Sequence, residues 1–62
     1  MPLAQISIIA GRPYEDKVKL IEKVTAAIVE SLDAPRDTVG VLVTEIPGEL
    51  WGIGGKPKFP LE

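Results

Sequence analysis

The chain has 62 residues, a formal net charge of −2, a pI near 5.0, 45% hydrophobic residues and neither cysteine nor histidine. This composition excludes a disulfide framework and a histidine- or cysteine-held zinc, and its scattered Lys and Arg form no basic field for nucleic acid. A chain this short hides only about 60% of the surface its unfolded form exposes, so against ~1.5 kcal/mol of ordering cost per residue one small core is near break-even, and oligomerisation is the remaining ordinary support.

Met1-Pro2 opens the chain. A small second residue favours loss of the methionine, which would leave Pro2 with a free secondary amine, held by its ring at the start of a strand: a candidate base or nucleophile. The plain alternative is a proline that only starts the chain extended. Leu3 to Ala10 alternates, with Ala4, Ile6, Ile8 and Ala10 on one apolar face, and predicts a strand. Gly11-Arg12-Pro13 breaks it. Pro13 suits the first position of a helix, and Glu15 and Asp16 place negative charge where the helix dipole favours it.

From Pro13 to about Leu32 the period is helical, with Leu20, Ile21, Val24, Ala27, Ile28 and Leu32 on one stripe expected to cover the sheet. Val18 and Val29 flank that stripe and Ala26 lies outside it, an arc wide enough to predict a second packing surface on another subunit. Lys17, Lys19, Glu22, Lys23 and Glu30 read as the wet face. Pro35 ends the helix within Asp33–Asp37, and Val39 to Ile46 predicts a second strand, with Val39, Val41 and Val43 alternating against Gly40, Leu42 and Thr44. Strand, helix, strand in this order predicts parallel pairing with a right-handed crossover. After the Pro47-Gly48 turn, Leu50 to Gly55 reads as a small hairpin laid on a neighbour. Its glycines are no phosphate cradle, because no helix follows them. Lys56 to Glu62, with two prolines, predicts a tail that extends over a partner or frays, with Phe59 as its one anchor. No run approaches the roughly 20 apolar residues of a membrane span and no signal peptide opens the chain, so a single cytoplasmic domain over residues 1–62 is expected.

Without histidine or cysteine, the residues left to carry chemistry are Pro2, Arg12, Tyr14, Arg36, Trp51 and the carboxylates. An apolar pocket would disfavour the protonated Pro2 amine and lower its pKa from the roughly 8 of an α-amino group toward neutrality. Arg12 offers a permanent cation and a fork suited to a carboxylate; a surface salt bridge is its inert reading. A strand of ~3.3 Å per residue separates Pro2 from Arg12, so the two share a pocket only across subunits. Arg36 either reaches toward the second strand or is a surface arginine beside Asp33 or Asp37, and Trp51 serves as an interface anchor, a pocket wall, or both.

Pro2-Leu3-Ala4-Gln5-Ile6, Gly11-Arg12, Asp33-Ala34-Pro35, Thr44-Glu45 and above all Gly52-Ile53-Gly54-Gly55 together resemble the 4-oxalocrotonate tautomerase family, over about residues 2–55 without gaps. That resemblance implies an α/β fold, a β-α-β unit with parallel strands and a short C-terminal hairpin, assembled as a homohexamer (a trimer of dimers) with no cofactor. It implies that Pro2 is the general base moving a proton in a small enol or unsaturated 2-keto acid. Arg12 would bind the substrate carboxylate from a neighbouring subunit, and Trp51 would replace the family's usual phenylalanine as the apolar wall. The departure is Gly40, where the best-known members carry a second arginine that stabilises the developing enolate; Arg36 is the nearest substitute. Two alternatives accompany this reading: a related hydration with dehalogenation or decarboxylation in which Pro2 acts as an acid, and a catalytically weak subunit that serves assembly or pairs with an active partner chain.

Overall fold

β1 (Leu3–Ile9) and β2 (Gly40–Ile46) pair in parallel, with Leu3 opposite Gly40, Ile6 opposite Val43 and Ile9 opposite Ile46. The computed structural model describes residues 1–59; Pro60, Leu61 and Glu62, the last part of the expected tail, lie outside the described residues. Side chains alternate across the pleat, so Ala4, Ile6 and Ile8 of β1 share a face with Val41, Val43 and Glu45 of β2. The apolar members of that set are half-buried.

α1 (Tyr14–Leu32) connects the strands and covers that face. Pro13 stands at the N-cap in extended geometry (φ −61°, ψ 152°), one residue earlier than its expected place inside the helix. Asp33 closes the helix in the left-handed conformation (φ 53°, ψ 40°), a common way for a helix to stop. A 3₁₀ turn, Arg36–Thr38, then leads into β2, which starts at Gly40 rather than at Val39.

The covered stripe differs in detail from expectation. Leu20, Val24 and Ile28 are half-buried, joined by Val18, Thr25 and Val29, while Ile21 and Leu32 remain 37% and 65% exposed. A two-stranded sheet is too narrow to cover so wide an arc. Lys17, expected on the wet face, is half-buried and its Nζ lies 3.0 Å from Glu45 Oε1. It sits at the margin of the stripe, where a lysine lays its aliphatic stem along apolar surface and carries its charge to the rim.

Past β2, a second 3₁₀ turn (Gly48–Leu50) precedes β3 (Gly52–Ile53), which pairs antiparallel with β4 (Lys56–Pro57). Gly54 and Gly55 form the bend, with φ of 60° and 86°, the two successive positive values that a tight hairpin turn demands and glycine supplies without strain. Lys56 and Pro57, expected as extended tail, are therefore the hairpin's return strand. Among the described residues no hydrophobic side chain is fully buried, and Gly48 is the one buried residue. None of the described helices is long and apolar enough to cross a membrane.

Candidate active site

The two ends of β1 carry different parts. At its start Pro2 is half-buried and its carbonyl accepts the Gly40 N–H at 2.9 Å, which extends the parallel ladder by one bond and sets Gly40 beside Pro2 within one chain. Met1 ahead of it is fully exposed. A Cβ at position 40 would lie 3.2 Å from Leu3 Cδ1 and 4.0 Å from the Pro2 oxygen, so there is space for a side chain if the tip of exposed Leu3 moves slightly. Arg36, exposed in the turn four residues before Gly40, belongs by topology to this same end. Among the described residues the only ion pair is Lys17–Glu45, so neither Asp33 nor Asp37 engages Arg36.

At the far end, the Ala10 N–H donates to Ile46 O at 2.9 Å and holds the ends of β1 and β2 together. Gly11 then turns the chain at φ 125°, a conformation that L side chains rarely adopt, and so brings Arg12 out at the sheet's end. The hairpin arrives at the same place. The Trp51 N–H donates to Gly48 O (3.2 Å), the Lys58 N–H donates to Trp51 O (2.8 Å), and the Phe59 N–H donates to Gly48 O (3.2 Å). The segment after β4 thus lies back along residues 48–51. A Cβ at position 48 would lie 2.9 Å from both Cβ and Cγ of Phe59, which is why only glycine lets that ring seat. Phe59, expected to anchor on a partner, anchors on its own chain.

Arg12, Trp51, Lys58 and Phe59, with Ile8 and Ile9 of β1, wall a groove of about 510 Å³. This is within the range of small-molecule sites. On the other side of Arg12 a second open groove, of about 530 Å³, runs against α1 past Asp16, Lys17, Lys19 and Lys23. The first has the composition a small conjugated acid needs, with an aromatic wall, aliphatic floor and a guanidinium able to grip a carboxylate with two parallel hydrogen bonds.

Of the residues singled out from the sequence, the structure brings Arg12 and Trp51 together and leaves Pro2 and Arg36 at the opposite end. Seven residues of β1 intervene, roughly 23 Å at ~3.3 Å per residue. Lys58 and the wall role of Phe59 were missed. No periodic signal marks them, because their placement depends on where a two-residue hairpin returns the chain. The Lys17–Glu45 pair had no local signal either, since its partners are far apart in sequence.

The chain matches the family model described as "Tautomerase enzyme" over residues 2–59. It is 53% identical over 57 residues to a 2-hydroxymuconate tautomerase of Pseudomonas sp. (strain CF600), a match covering 92% of this chain and 90% of the relative. Among solved structures, a 4-oxalocrotonate tautomerase isozyme from Methylibium petroleiphilum is similar at 47% identity and a TM-score of 0.89, covering 92% of each chain. A heterohexamer 4-oxalocrotonate tautomerase from Chloroflexus aurantiacus J-10-fl is similar at 31% identity and a TM-score of 0.90, covering 94% of each chain.

Proposed function

This chain belongs to the tautomerase family, and from that premise we propose that Pro2, freed by removal of Met1, is the general base that shifts a proton in a small enol or unsaturated 2-keto acid. Tautomerase activity itself follows from the family; the assignment of roles to residues is our reading. The observation that carries it is the division of parts between the two ends of β1, with the candidate amine at one and the Arg12–Trp51 groove at the other. A second subunit that sets its groove against the first subunit's Pro2 completes a site that neither chain holds alone. Hexameric assembly, as a trimer of dimers, goes with this reading; the Chloroflexus relative is itself a heterohexamer.

In this mechanism Arg12 holds a substrate carboxylate and fixes the carbon chain along the groove. The Pro2 nitrogen takes a proton from the carbon next to the ketone, and the C–H electron pair moves into a conjugated dienolate with its negative charge on oxygen. The same proton returns from the protonated amine to the far carbon of the conjugated system, leaving the double bond moved and the amine neutral. Trp51 keeps water from the groove, so that a neutral amine is favoured over its ammonium form. In an enol substrate such as the 2-hydroxymuconate for which several relatives are named, the Pro2 nitrogen takes the hydroxyl proton instead, the same dienolate forms, and the proton returns to its far carbon.

The test starts from an intact mass of the purified chain, which should lack Met1. Pro2→Ala, assayed on 2-hydroxymuconate, should lose at least about 10²-fold in kcat, the low end for removing a positioned base. Full activity in Pro2→Ala, or in a chain that retains Met1, would refute the assignment.

A further inference from the structure

Arg12 is one guanidinium and engages one carboxylate, yet the groove it lines carries a second cation. Lys58 belongs to the same wall as Trp51 and Phe59. Its backbone is fixed from both sides, by its own N–H to Trp51 O (2.8 Å) and by the Phe59 N–H to Gly48 O (3.2 Å). Its Nζ lies 5.9 Å from the centroid of the Phe59 ring, a contact that favours an ammonium near the ring face without neutralising it. No acidic residue lines this groove, whereas Asp16 stands in the neighbouring one. Among the described residues Lys58 takes part in no ion pair. Among the described residues the result is a groove with an apolar middle and two uncompensated positive charges, one from the end of β1 and one from the segment after the hairpin.

We infer that Lys58 is a specificity-determining contact of the substrate groove, binding the second carboxylate of a dicarboxylic enol while Arg12 binds the first. This rests on the reading of the groove as the substrate site, and adds to it a named contact for the second carboxylate of a dicarboxylate such as the 2-hydroxymuconate for which relatives are named. A lysine rather than an arginine suits this place, because a compact ammonium on a flexible stem accepts a carboxylate at varying reach. An enol with one carboxylate and an aryl group would use Arg12 and the aromatic wall and make no demand on Lys58.

The experiment compares the wild-type enzyme with Lys58→Ala and Lys58→Arg on two substrates, 2-hydroxymuconate with two carboxylates and the enol of phenylpyruvate with one. Lys58→Ala should raise KM for the dicarboxylate about fivefold, the scale of one solvent-exposed ion pair, with kcat nearly unchanged. On the aryl enol its KM should rise by less than on the dicarboxylate, and Lys58→Arg should restore most of the dicarboxylate KM. Equal losses on both substrates, or no loss on either, would overturn the inference. So would a wild-type enzyme that turns over the aryl enol but not the dicarboxylate, an outcome that leaves the Pro2 assignment standing. Activity indifferent to Pro2→Ala defeats that assignment whatever Lys58 does, and inactivity on both substrates defeats both.

Discussion

Gly40 is the position at which one residue most changes the chemistry expected of this chain. Its N–H supports the Pro2 carbonyl at 2.9 Å, yet it offers no side chain beside the candidate base. Its backbone does not require glycine, since its φ lies outside the left-handed range that marks Gly11, Gly54 and Gly55. The sole tight neighbour of an added Cβ is Leu3 Cδ1 at 3.2 Å, the tip of an exposed side chain. Gly40→Arg should therefore fold, and place a guanidinium near the region where enolate charge develops. A single well-placed donor of this kind is worth roughly 10²-fold in rate when optimally aimed. We expect a gain in kcat/KM on 2-hydroxymuconate of about tenfold, because the surrounding side chains have not been shaped around it. An unchanged or lower value, with the fold intact by circular dichroism, would mean that Gly40 is not a missing electrostatic group.

At the scale of elements, what the sequence revealed and what it hid divide along contact range. β1, α1 and β2 were legible because each is written in a local period, two for the strands and 3.6 for the helix, and their order fixed parallel pairing. The glycine pair at 54–55 marked a hairpin, but not where its return strand ran. Sequence alone therefore leaves Lys56 and Pro57 in the tail, and Lys58 and Phe59 outside the site. Residue type and family resemblance single out Pro2, Arg12 and Trp51 only as candidates, whereas the shared groove of Arg12 and Trp51 is a product of tertiary geometry. The hairpin's seat can be tested through Gly48. Gly48→Ala must displace Phe59, whose Cβ and Cγ would both lie 2.9 Å from the new methyl group. Overpacking of this kind typically costs ~1–3 kcal/mol, and here the return segment should detach instead of the strands. Hydrogen exchange should quicken at the Lys58 and Phe59 amides, which donate to Trp51 and Gly48, while the β1–β2 ladder keeps its protection. Uniform loss of protection across the chain would show that hairpin and sheet open as one unit.

The whole molecule has the dimensions of a part. Its radius of gyration is 14.6 Å and its extents are 47 × 24 × 14 Å, against roughly 10.6 Å for the radius of gyration of a compact domain of this length. Its accessible surface of 4884 Å² is about 1,000 Å² more than the ~3,900 Å² of a typical monomer of this mass. Several large hydrophobic side chains stand exposed, and the face of the sheet opposite α1 presents Leu3 and Leu42 at 57% and 53% exposure. A surface of this kind in so small a chain calls for a partner, and under the roles proposed above the split of Pro2 from the Arg12–Trp51 groove would make activity depend on the same partner. Leu42→Lys separates assembly from the chemistry. Residue 42 lies in neither groove, so a folded protomer would keep every candidate catalytic group. A charge in the middle of an apolar contact should nevertheless lower the native mass below that of wild type and cost at least about 10²-fold in kcat/KM, the two losses reversing together as protein concentration rises. Pro2→Ala is the counterpart, expected to lose activity at full native mass. If the Leu42→Lys chain were fully active at reduced mass, the site would be complete within one protomer, and the division of Pro2 from Arg12 along β1 would have no functional meaning.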